Sequence, residues 1–86
     1  MRRSLRSPDV LDSRGLLHLR RSEYAKAIAD YDAVLAHGPN SAWSLYGRGL
    51  ARLRTGARAA GEADLAAAAK ADAEVPVRAA SLGLTS

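Results

Sequence analysis

Cysteine is absent from the 86 residues, which excludes a disulfide framework and a thiolate metal site. Phenylalanine is absent as well, and one tryptophan and three tyrosines are the whole aromatic complement. Apolar residues reach 48%, yet much of that is alanine, which lets helices approach closely without burying much area. The composition therefore excludes a thick globular core and favours stacked helices. No run approaches the ~18 consecutive apolar residues of a membrane-spanning helix. The basic first residues have no apolar run behind them, so no secretory signal is legible and a cytoplasmic location is expected.

What is present is positive charge and repetition. The net charge is +4, and all but two of the thirteen cations are arginine. Arg2, Arg3 and Arg6 crowd the start, followed by Arg20 and Arg21. Such a distribution can attract nucleic acid, acidic lipid or an acidic peptide. The plainer reading is a solvated basic leader over residues 1–7.

Ten residues recur at an offset of 34. Leu11, Arg14, Gly15, Leu16, Leu19, Arg20, Ala25, Ala29, Asp30 and Ala33 return as Leu45, Arg48, Gly49, Leu50, Leu53, Arg54, Ala59, Ala63, Asp64 and Ala67. Chance in so alanine- and leucine-rich a chain supplies roughly four such matches, so the period is a unit of construction.

The local signals place about five helices. Ser7-Pro8 starts one that runs to about Arg20, with Ser7 as cap and Asp9 favourable to the helix dipole. Ser22 is expected to cap the second, whose stripe is Tyr24, Ala27, Ile28, Tyr31, Val34 and Leu35. His37-Gly38-Pro39 stops it. Asn40 or Ser41 caps the third, which Thr55-Gly56 ends. The fourth spans about Ala57 to Asp72, and a short fifth runs from Pro76 to about Leu82.

Two helices per 34 residues, a small residue midway along the first and a closing Pro resemble the tetratricopeptide repeat. Leu11, Gly15, Tyr24, Ala27, Ile28, Tyr31 and Pro39-Asn40 carry the resemblance in the first unit. The second unit departs from it, with Arg58 for Tyr24, Gly61 for Ala27 and Ala73 for Pro39. Arg14 and Arg48 also stand where the family has an apolar residue, and His18 and Arg52 where an aromatic is common. The resemblance implies an all-α fold: antiparallel helix-turn-helix repeats stacked as a short right-handed superhelix. Its units would be 8–41 and 42–75, with 76–86 a capping helix or the start of a third.

Arg14 precedes the first helix turn by about as many residues as Asp30 follows it, so an antiparallel hairpin sets them level. The same holds for Arg48 and Asp64, and an ion pair inside each unit is expected. Gly15 and Gly49, with Ala27 and Gly61 opposite, should allow close helix contact, with Tyr31 and Leu65 filling the seam.

No catalytic constellation is legible. His18 and His37 lack metal-ligand spacing. Gly47-Arg48-Gly49 lacks both the preceding strand and the third glycine of a phosphate loop. Asp9 with Asp12 and Asp30 with Asp32 lack the further ligands of a calcium loop. No enzyme activity, cofactor or metal is expected.

In the family the first helices line a concave binding face. The resemblance puts Asp9, Asp12, Leu16, Leu19 and Arg20 there from the first unit, and Trp43, Tyr46, Leu50, Leu53 and Arg54 from the second. Trp, Tyr and Arg are types enriched at binding hot spots. The plainer reading is that Trp43 and Tyr46 serve the core. The carboxylate clamp of some family members is missing, because its places hold Asp12, Leu16 and Gly47.

The expected function is a protein-interaction module that takes a peptide with apolar anchors and some acidity. Nucleic-acid binding is a weaker alternative, because the arginines spread over several helix faces. Self-association is another, since two units and a fragment fall below the ~3 that such arrays need, and a homodimer could cover the open end.

Overall fold

The computed structural model describes residues 8–37 and 41–81, with side chains described from Arg14 to Ala36 and from Ser41 to Ser81. The described residues form five helices and no strand: α1 (Pro8–Arg20), α2 (Tyr24–His37), α3 (Ala42–Arg54), α4 (Arg58–Ala71) and α5 (Val75–Ser81). The expected helix count holds, and each boundary falls within two residues of its expected place. The leader at 1–7, the Ser7 cap, Gly38-Pro39 of the α2 stop and the Asn40 cap candidate lie outside the described residues.

Each helix packs on the next along the chain, from α1 on α2 to α4 on α5. The first helices of successive units also touch, α1 on α3 and α3 on α5. Tyr31 is the pivot. It is 1% exposed, and its ring lies between glycines of two other helices. A Cβ on Gly15 of α1 would stand 3.0 Å from the ring's Cζ, and one on Gly47 of α3 would stand 2.6 Å from its Cε2. Leu19, Ala27, Leu35, Leu45, Leu50, Ala51, Ala68, Val75 and Ala79 extend the core around it. Between α3 and α4 the backbones themselves meet. A Cβ on Gly61 would stand 2.8 Å from the Gly49 carbonyl oxygen, and one on Gly49 would stand 2.9 Å from that of Gly61.

The α1–α2 turn differs from its expected form. Ser22 is not an N-cap; its φ of 62° places it in the left-handed region that terminates α1. The Glu23 amide donates to the His18 carbonyl and the Ser22 amide to that of Leu19, the paired bonds of a Schellman motif. The α3–α4 turn repeats both bonds 34 residues on, from Ala57 to Arg52 and from Gly56 to Leu53, with Gly56 at φ 91°. Ser and Gly thus hold equivalent left-handed positions, and only Gly does so without a Cβ penalty. Ser22→Gly is expected to stabilise the chain by about 1 kcal/mol, measured by urea unfolding. An unchanged or lower midpoint would show that the Ser22 hydroxyl, 3.3 Å from the Tyr24 hydroxyl, outweighs the strain.

Ser41 is the N-cap residue of α3, but its hydroxyl donates to Ser44 Oγ at 3.2 Å and not to the helix end. At the α4–α5 junction, where Ala73 replaces Pro39, Asp72 makes the turn. Its carboxylate accepts the Glu74 amide at 3.0 Å while its carbonyl accepts that of Val75. Pro76 lies in the first turn of α5, where its missing N–H costs nothing.

Candidate partner-binding surface

The strongest polar feature of the fold is the pair expected from sequence, and it is present twice with one geometry. Arg14 donates from Nε and Nη2 to the two Asp30 carboxylate oxygens at 2.9 and 2.8 Å. Arg48 does the same to Asp64, both at 2.9 Å. The Asp30 and Asp64 side chains are 9% and 8% exposed, so both carboxylates are desolvated and both are satisfied by a planar fork.

Beyond that shared core the units diverge. Arg48 Nη1 donates to Asp32 on α2 at 2.8 Å, so one guanidinium joins three helices and both units. Arg52 adds a third bond to Asp64 at 2.8 Å. His18, at the matching place in the first unit, instead puts Nδ1 2.9 Å from Glu23 and Nε2 3.6 Å from Asp30. Hydrogen bonding to Asp64, opposed by burial and reinforced by Asp32, raises the Arg48 pKa, and bonding to Asp30 raises that of Arg14. Both guanidinium groups therefore stay charged wherever the fold exists.

Glu23 is held below its ordinary carboxylate pKa, first by its hydrogen bond to His18, and with a further contribution from Lys26. A lowered folded-state pKa means that the contact stabilises above the unfolded-state value and is lost as pH falls through the folded one. Glu23→Gln is therefore expected to lower stability at neutral pH and to flatten its fall as pH drops below the ordinary carboxylate range. Denaturant midpoints at stepped pH check this; parallel profiles for variant and wild type would contradict it.

The residues expected on the concave face divide. Asp9 and Asp12 lie on α1, with side chains outside those described. Leu16 and Trp43 are partly buried and pack against the core, while Arg20 and Arg54 are exposed. Tyr46 and Leu50 are 9% and 3% exposed and belong to the core, which corrects their expected place on a binding face. The reason is bulk: without Phe, and with Ala on so many inner positions, the core takes these side chains in. Trp43 and Tyr46 thus follow the plainer of the two readings.

An open groove of about 400 Å³ lies elsewhere, lined by Leu53, Arg54, Arg58, Glu62 and Leu65. It runs between the C-terminal end of α3 and the first half of α4. Leu53 and Leu65 give it an apolar floor, and Arg54, Arg58 and Glu62 are exposed around it. Leu53 and Arg54 join it to the expected set. Its signal was present in the departures of the second unit: Arg58 and Glu62 replace Tyr24 and Ile28, which in the first unit pack against the core.

Among the described residues, no group of three or more His, Cys, Asp or Glu could hold a metal ion, and no helix is long and apolar enough to cross a membrane. Comparison with protein-family models, curated proteins and solved structures finds no match to this chain.

Proposed function

We propose that the chain is a non-catalytic protein-interaction module of the tetratricopeptide type, built from units 8–41 and 42–75 with 76–86 a capping helix or the start of a third. Its ligand is an extended or helical peptide segment carrying an apolar anchor next to acidic side chains. The groove of Leu53, Arg54, Arg58, Glu62 and Leu65 is the observation that carries this reading. Its floor suits a leucine-sized side chain, and two arginines at its edge suit carboxylates on either side of that anchor. The 34-residue period, the twice-used Arg–Asp fork and the contacts of α1 with α3 and α3 with α5 support the stacked, superhelical form. Arg20 and Arg54, equivalent by the repeat, extend the basic character along the first helices of both units.

Selection of displayed peptides on the immobilised chain tests the reading. Peptides with an apolar residue flanked by Asp or Glu are expected with the wild type and lost with the Arg54→Glu, Arg58→Glu double variant. Both positions are exposed, so the variant is expected to keep its helicity. Recovery of the same peptides by both proteins would overturn it.

A further inference from the structure

The repeat supplies its own template for a second surface, on α1 and away from the groove. Arg48 uses all three faces of its guanidinium: Nε and Nη2 on Asp64 of its own unit, and Nη1 on Asp32 of the preceding helix. Arg14, 34 residues earlier, uses Nε and Nη2 in the same way on Asp30, and among the described residues its Nη1 has no acid. Exposure follows the difference. The Arg48 side chain is 19% exposed and that of Arg14 is 50%. One turn on, Ala51 is fully buried, whereas Leu17, its equivalent on α1, is 50% exposed and one of two large apolar side chains left exposed among the described residues. On α3 this strip is met at Arg48 by Asp32 of α2; on α1 no acid among the described residues meets Arg14 beyond Asp30, and Leu17 stays half exposed.

We propose that the Arg14–Leu17 strip of α1 docks a helix of a partner protein, seated as α2 is seated on α3. That helix brings an Asp or Glu to Arg14 Nη1 and a small residue, one turn from the acid, against Leu17. The arrangement selects a different protein and not a second copy of this chain. A copy stacked end to end would need α4 in the place of α2, yet α5 already packs on α4, and Ala66, at the place of Asp32, brings no carboxylate there. The leader at 1–7 contains no acid either. Leu17 is larger than Ala51, so the partner helix must be narrower than α2 at that contact. This inference stands on the Arg48–Asp32 contact and is independent of the peptide groove.

The test uses the full chain and a labelled, helix-stapled peptide of residues 24–37 with Ile28→Ala, the α2 sequence with the large side chain one turn from Asp32 reduced to leave room for Leu17. Anisotropy is expected to show saturable binding below roughly millimolar peptide. Amide shifts in the bound chain should cluster on α1 and leave Arg58 and Glu62 unmoved. Asp32→Asn in the peptide should weaken binding about fivefold, as a half-exposed ion pair allows. Leu17→Glu in the chain, which removes no core contact, should weaken it at least as much by repelling the acid. Absence of saturable binding, indifference to both substitutions, or shifts confined to α3 and α4 would each overturn the proposal.

Discussion

Tyr31→Ala is expected to cost about 3–5 kcal/mol, the range for removing a buried aromatic ring. A chain of this size has a total stability of about 4–13 kcal/mol, so much of the population should unfold near body temperature. The ring is 1% exposed and bridges α1, α2 and α3 through the gaps at Gly15 and Gly47. The two positions that the ring meets on α1 and α3, Gly15 and Gly47, have no side chain with which to refill the space. A second substitution gives the loss a direction. In the wild type, Gly47→Ala drives a methyl to within 2.6 Å of the Tyr31 hydroxyl and should destabilise by about 1–3 kcal/mol. In Tyr31→Ala the same methyl enters a cavity and gains helix propensity, so Gly47→Ala should become neutral or stabilising by up to about 1 kcal/mol. Circular-dichroism melts of the four proteins check this. A Gly47→Ala effect that keeps its sign in both backgrounds would show that the ring does not fill that gap.

Asp64→Ala is expected to be nearly as severe. It leaves the partly buried Arg48 and Arg52 without their shared acceptor, and breaking a buried pair from one side costs about 3–5 kcal/mol. Arg48 and Arg52 keep 19% and 27% exposure and Arg48 keeps Asp32, so the lower half of that range, about 3–4 kcal/mol, is expected. Asp30→Ala should cost less, because Arg14 is half in water and can resolvate. Equal losses at the two aspartates, read from denaturant midpoints, would contradict the role assigned to exposure. The forks are expected to fix hairpin register more than to add net stability, since desolvation offsets much of their attraction.

The helices and the forks were legible because each depends on a relation the chain writes down. Arg14 and Asp30 flank one turn at similar distances, and a period of 34 repeats the relation at Arg48 and Asp64. The role of Ser22 is not legible in sequence, because a serine after one helix and before another suits two roles. Only the backbone dihedral, φ 62°, separates a left-handed terminator from a cap, although Gly56 at the equivalent place already pointed to the terminator. The burial of Tyr46 and Leu50 was not legible from their own helix. Both faces of α3 carry apolar residues, and which face is covered depends on how α2, α4 and α5 settle around it. The groove was half legible. Leu53 and Arg54 stand on the expected face, but in sequence Arg58 and Glu62 read as losses of core residues, not as a new lining. Asp32 likewise has no counterpart at Ala66, and its contact with Arg48 crosses between units, where the repeat carries no instruction.

One hairpin used twice, locked in each copy by the same carboxylate fork, is the base from which both binding surfaces are derived. Paired mutant cycles over Arg14/Asp30 and Arg48/Asp64 test it most directly, with each residue changed to alanine singly and together and stability read by urea unfolding. Coupling of the same sign is expected in both units, about 0.5–1 kcal/mol in the first and about 1.5–3 kcal/mol in the more buried second. Additive losses in both units, with no coupling beyond ~0.3 kcal/mol, would contradict it.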